Sequence, residues 1–198
     1  MIQETYIYAA RFQPFHRDHL QVIMEFLSHN STSLVVAIVR AIESGWLTND
    51  SFDEASREHH EPDRNPLSAV EVMTIVNAAL INSGVADKTL LTLLPRPARG
   101  LNWGIITQLF PGPRVWLIPQ RGESWDESKA SFFQEQGDRV LRISVPRTAS
   151  GYEIRTQLST MGQAVFESVP EGARQVLGAI LRERQNKIGP SSPTSENH

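Results

Sequence analysis

The chain has 198 residues, 40% of them hydrophobic and 21% charged, with no cysteine and a formal net charge of −3. At roughly 150 residues per domain this is one domain with ample core material, and its apolar and aromatic content is too high for a disordered chain. A disulfide framework, a cysteine-ligated zinc and a thiol nucleophile are excluded, and the small negative charge argues against a nucleic-acid partner. The longest apolar run, Leu34 to Val39, is far too short to cross a bilayer. Met1 to Phe12 carries Glu4 and Arg11 and lacks a signal-peptide pattern, so a cytoplasmic protein is expected.

Thr5 to Ala9 reads as a strand rich in aromatic and β-branched residues. A polar, Pro-containing loop leads to a helix with Leu20, Ile23, Met24 and Leu27 on its apolar face. Leu34 to Val39 reads as a strand buried on both faces. The next helix has Pro66, then Ser68 and Glu71 as a capping box, and Gly84 as its stop. Thr89 to Leu94 is a third buried strand by the same pattern. Trp103 to Phe110 is a short helix closed by Pro111-Gly112-Pro113, and Arg114 to Ile118 a fourth strand. Ser124 with Glu127 reads as a second capping box, for a helix that stops at Gly137. Val140 to Val145 is the fifth strand, and helical patterns run from about Gly151 to Lys187.

Strands alternating with helices predict a parallel sheet with right-handed crossovers: a Rossmann-like, doubly wound α/β fold with five strands and C-terminal helices. Residues 1–188 form the expected domain, with a long polar connection at 43–63. At about twenty residues that connection is a lid or a disordered insertion. Residues 189–198, rich in serine and proline, read as a disordered tail. Ligands of such sheets sit outside the carboxyl ends of the strands, where the strand order reverses.

The loop after the first strand carries His16 and His19 at a helix start, with Arg11 and Arg17 nearby. Unpaired backbone N–H groups and the helix dipole there suit an anion such as phosphate. A pair of surface histidines at a helix start is the plainer alternative. Glu58-His59-His60-Glu61 has metal-ligand residue types, but adjacent histidines rarely face the same way, and no metal site is expected. Arg96 and Arg99 could face a phosphate, yet a solvated loop is the preferred reading. Capping accounts for Ser124 and Glu127 without a catalytic role.

The stretch Arg11-Phe12-Gln13-Pro14-Phe15-His16-Arg17-Asp18-His19-Leu20 resembles the opening motif of the HxGH nucleotidylyltransferase superfamily. Ser150-Gly151-Tyr152-Glu153-Ile154-Arg155 resembles that family's S-G-T-E-I-R segment, and Asn65-Pro66-Leu67-Ser68-Ala69 its N-P-F-T-A segment. Val169-Pro170 fits the family's C-terminal end, and the resemblance covers about residues 5 to 186. The nearest branch is the archaeal-type nicotinamide-mononucleotide adenylyltransferases with their bacterial Nudix-fused relatives.

The resemblance implies in-line attack of an acceptor phosphate oxygen on the α-phosphorus of a nucleoside triphosphate, releasing pyrophosphate. It implies His16, His19, Arg155 and Arg11 as the catalytic set on the phosphates. Phe12, Gln13, Arg64, Trp103, Ser150, Gly151 and Ile154 would line the substrates, with Trp103 stacking on the acceptor's nicotinamide ring or else serving as a core residue. Mg²⁺ is implied as cofactor, taking its oxygens mostly from the nucleotide and water.

The chain departs from the family at several glycines, with Ala10, Asp18, Val39, Val70 and Pro119 in their places. Tyr152 stands for the family threonine and Val72 for an arginine. The expected function is ATP plus nicotinamide mononucleotide (NMN) giving NAD and pyrophosphate, a step of NAD biosynthesis. The alternatives are cytidylyl or other nucleotidyl transfer to a phosphate or phosphonate, and a degenerate nucleotide-binding module. Asp18 is expected to reshape the pocket and weaken ATP binding. A homo-oligomer is left open.

Overall fold

Alternating burial along two neighbouring central strands sets the architecture. In the computed structural model, which describes residues 3–40, 65–121, 124–148, 154 and 163–188, Ile7 and Tyr8 of the first strand face opposite cores, as do Val35 and Val36 of the second. The elements are β1 (Thr5–Ala10), α1 (Arg17–His29), β2 (Leu34–Arg40), α2 (Ala69–Asn82), β3 (Thr89–Pro95), α3 (Leu101–Leu109), β4 (Arg114–Pro119), α4 (Ser124–Glu135), β5 (Arg139–Ile143), α5 (Gln163–Ser168) and α6 (Glu171–Ile188). The strands form one parallel sheet in the order β3-β2-β1-β4-β5. This is the doubly wound, Rossmann-like arrangement expected from the sequence. The order reverses between β1 and β4, where Ile7 pairs with Trp116. The expected loop at 43–63 and tail at 189–198 lie outside the described residues.

One core gathers α1, α2 and α6 residues under the sheet, among them Ile23, Phe26, Ile75, Val76 and Leu177. The other packs Ile106 of α3, Phe110 just after it and Phe133 of α4 against Ile7, Ala37 and Trp116. The Trp116 ring stacks on Phe133 at 4.0 Å, and its indole N–H donates to Asp138 at 2.7 Å. Asp138 also takes two Arg114 bonds of 2.8 Å, so this buried carboxylate is compensated on both oxygens. Among the described residues no helix is long and apolar enough to cross a membrane.

The structure corrects three local readings. The buried stripe of α1 is Val22, Ile23, Phe26 and Leu27, while Met24 is 41% exposed, because the helix is rotated to seat the bulkier Phe26. β3 is an outer strand, which leaves Leu90 and Leu93 largely in solvent. Ser124 is the first residue of α4 rather than the residue before it, and the Glu127 carboxylate binds Arg142 at 2.5 Å. The Ser68–Glu71 box does form, with Ser68 N–H donating to Glu71 at 2.6 Å and Glu71 N–H to Ser68 Oγ at 3.3 Å.

α6 closes the first core by lying on α2, and Gly172 permits the close approach. A Cβ there would fall on the Asn82 side chain and lie 2.7 Å from the Ala78 carbonyl oxygen. Gly172→Ala is expected to force the helices apart and cost about 1–3 kcal/mol, measured as a lowered midpoint in denaturant unfolding. An unchanged midpoint would show that the helix pair yields freely.

Candidate active site at the sheet reversal

β1 ends at Ala10, and the chain turns through Phe12, whose φ of +53° is uncommon for a bulky residue. The turn is held by packing. The Phe12 ring is buried against Tyr8, Phe15 and His19, with centroid distances of 5.7, 5.3 and 5.0 Å. Gln13, also buried, grips the backbone of Leu67 from both sides. Its Nε2 donates to the Leu67 carbonyl at 2.8 Å and its Oε1 accepts from Leu67 N–H at 3.0 Å. Arg40, at the end of β2, donates to the same carbonyl at 2.9 Å.

His16 then caps α1 in an extended conformation, and its N–H donates to His19 Nδ1 at 3.3 Å. The two imidazoles lie 3.7 Å apart between centroids, one buried and one half-buried. A neutral His19 that accepts at Nδ1 carries its proton on Nε2, as a donor. The pair thus sits at the amino end of α1, on the carboxyl edge of the sheet, beside the β1–β4 reversal. That position combines the helix dipole with the usual ligand crevice of the fold.

Asp18, the second residue of α1, is fully buried and turned away from its own helix end. It accepts from Thr148 N–H at 3.1 Å and from the Thr148 hydroxyl, and lies 3.9 Å from the Arg121 guanidinium. It therefore joins α1 to the segments that follow β4 and β5, rather than capping the helix. The sequence pattern does not mark Arg121 or Thr148 as partners; the one available signal is their position just beyond strand ends.

A group of charges surrounds this join. Lys129, in the second turn of α4, lies 3.6 Å from Asp126 and stands over the half-exposed Trp125 ring at 5.4 Å. Burial lowers the Lys129 pKa; the Asp126 carboxylate opposes this, and the Arg11 and Arg121 guanidinium groups add to it. Burial likewise pushes the Tyr8 phenol up, keeping it neutral between Arg121 and the two carboxylates. Among the described residues, Arg11, Arg121 and Lys129 interact here with Asp18 and Asp126.

Of the remaining expected site residues, two are described. Ile154 is buried in the first core. Trp103 lies on the opposite face of the sheet from the histidines, against Trp116, Phe132 and Phe133, with the Arg114 guanidinium 5.4 Å above its ring. These contacts match the core-residue alternative for Trp103. Arg99 is an exposed partner of Glu135 at 2.7 Å, in keeping with a solvated loop. Arg64, Ser150, Gly151 and Arg155 lie outside the described residues, as does the Glu58–Glu61 cluster. Among the described residues no group of three or more acidic, histidine or cysteine side chains could hold a metal ion.

No family model matches the sequence, and no curated protein matches it. Among solved structures the fold is similar to that of a Vibrio parahaemolyticus protein provisionally assigned as a nicotinate-nucleotide adenylyltransferase. The two share 16% identity, with a TM-score of 0.52, over 89% of this chain and 99% of that one. At this identity the likeness establishes the fold. It agrees with the doubly wound sheet described above.

Two outcomes follow from the site. Removing one partner of a buried charge pair typically costs about 3–5 kcal/mol, so Asp18→Gly is expected to lower unfolding stability by about 3 kcal/mol, read in a urea titration. Asp18→Asn, which keeps an acceptor for Thr148, is expected to lose less; equal losses would place the contribution in the charge alone. Because the Lys129 pKa is lowered, its charge is lost at lower pH than that of an exposed lysine. Affinity for inorganic tripolyphosphate is therefore expected to fall as pH rises, earlier than the ordinary lysine range. Lys129→Arg should flatten that decline, and an unchanged profile would remove Lys129 from the anion site.

Proposed function

We propose that this chain is a nucleotidylyltransferase that moves an adenylyl group from ATP to the phosphate of a pyridine mononucleotide, NMN being the expected acceptor. The observation that carries the reading is the His16–His19 pair at the amino end of α1 on the reversal crevice. The motif resemblance of residues 11–20 and the fold shared with the Vibrio protein support it.

The chemistry asked of such a site is modest. An acceptor phosphate oxygen attacks the α-phosphorus, the bond to the bridging oxygen breaks, and pyrophosphate leaves with the electron pair. No covalent enzyme intermediate is required, so rate comes from alignment and from donors placed where negative charge accumulates. His19, with its proton on Nε2, donates to a phosphate oxygen; the buried His16 ring braces it from one side and Phe15 from the other. Arg11 adds positive charge at the end of β1, and Arg155 is the further phosphate ligand expected from sequence.

Mg²⁺, the cofactor expected from the resemblance, would arrive with the nucleotide and take its oxygens mostly from the phosphates and water. Bound in that way, Mg²⁺ would neutralise charge on the departing pyrophosphate.

Pyrophosphate release across ATP and CTP, each with nicotinamide mononucleotide, nicotinate mononucleotide and a simple phosphonate, tests the reading. ATP with a pyridine mononucleotide is expected to be the productive pair. Release with CTP and the phosphonate alone would establish the cytidylyl alternative. Binding of ATP without release from any pair would establish a binding module. His19→Ala is expected to lower turnover about a hundred- to a thousandfold with the fold intact by circular dichroism; near wild-type turnover would remove His19 from the reaction.

A further inference from the structure

The chain just past the end of β4 carries a buried cation with two unmade donors beside the first turn of α1. Gln120 N–H donates to the Ile143 carbonyl at 2.8 Å, so the backbone just before Arg121 is fixed to β5. The Arg121 side chain is 13% exposed, with Nη2 3.9 Å from the Asp18 carboxylate. That separation balances charge but is too long for a hydrogen bond. The Asp18 oxygens are directed to the Thr148 N–H and hydroxyl. Arg121 Nε and Nη2 are buried, and neither donates a hydrogen bond.

A buried guanidinium with donors unmade is costly to fold, whereas the Nε–Nη2 fork matches two oxygens of a phosphate. Position supplies the rest of the argument. Asp18 lies between His16 and His19 on the first turn of α1, so a group bound against that turn lies beside Arg121 as well.

We propose that Arg121 is a further phosphate-binding residue of this site, its charge held in place by Asp18 and its Nε–Nη2 fork taken by the polyphosphate of the incoming nucleotide. The proposal rests on the nucleotidyl-transfer reading and assigns a use to the aspartate that stands where the resembled motif has glycine. Asp18 does not line the nucleotide pocket as a bare repulsive charge. It holds the Arg121 cation against the first turn of α1.

Calorimetric titration of the full chain with ATP, inorganic tripolyphosphate and adenosine tests this. Hydrogen bonds to charged groups change affinity by about ten- to a hundredfold. Arg121→Gln is expected to lose that factor for ATP and tripolyphosphate and to leave adenosine affinity unchanged. Wild-type affinity for both polyphosphates in Arg121→Gln overturns the proposal and leaves the nucleotide reading standing. An equal loss for adenosine marks a structural effect and also overturns it. If the wild-type chain binds neither polyphosphate, the nucleotidyl-transfer reading falls and the proposal falls with it. Should Arg121→Gln fail to fold, Arg121→Lys keeps the charge opposite Asp18 and removes the fork. A several-fold loss for both polyphosphates is then expected, and equal affinity overturns the proposal.

Discussion

A carboxylate removed from water ties together the two halves of the sheet. Asp18 belongs to the helix that follows β1, while its partners Arg121 and Thr148 follow β4 and β5. In a doubly wound sheet those halves diverge at the reversal, and the crevice between them is where ligands enter. A buried charge is tolerated only when paired and hydrogen-bonded, so the Asp18 contacts hold the crevice to one width. The histidine pair, Arg121 and the Lys129 group are all positioned relative to that join.

A second set of ties fixes the opposite wall. The segment before α2 is gripped by Gln13 from the β1 loop and Arg40 from β2, both at the Leu67 backbone. Arg184 of α6 donates to the Pro66 carbonyl at 2.7 Å and to both Glu71 oxygens. Burial alone would raise the Glu71 pKa, but the Ser68 and Arg184 bonds outweigh it and the pKa is lowered. Its contribution to stability is therefore present above the ordinary carboxylate range and is lost as pH falls through the lowered value. Three elements converge on six residues, and Gln13, which the resemblance implied as a substrate contact, is one of the braces.

Much of this was legible in the sequence because the elements announce themselves locally. The apolar run of Leu34–Val39, the Ser68–Glu71 box and the Gly84 stop each carry their own physical signal, and each stands where expected. What failed was decided at long range. Whether a strand such as Thr89–Pro95 is central or outermost depends on sheet order, which hydrophobic pattern does not encode. Ser124 and Glu127 have capping-box spacing, yet a neighbouring strand supplies Arg142 and takes the carboxylate. The histidines were found because they lie three residues apart. Asp18 and Thr148 are separated by 130 residues, and no local pattern joins them.

The two outer strands treat their surroundings differently. β5 shows Arg139 and Arg142, each in an ion pair, whereas β3 is an uncharged stretch with Leu90 and Leu93 in solvent. An uncharged, apolar outer strand is a template for unwanted pairing between chains, and natural proteins place charges or proline around such segments. Lys88 immediately precedes β3 and Pro95 ends it, so the protection lies at its flanks. Self-association of concentrated or partly unfolded protein would begin along this strand, and a lysine in place of Leu90 would raise solubility without touching the crevice.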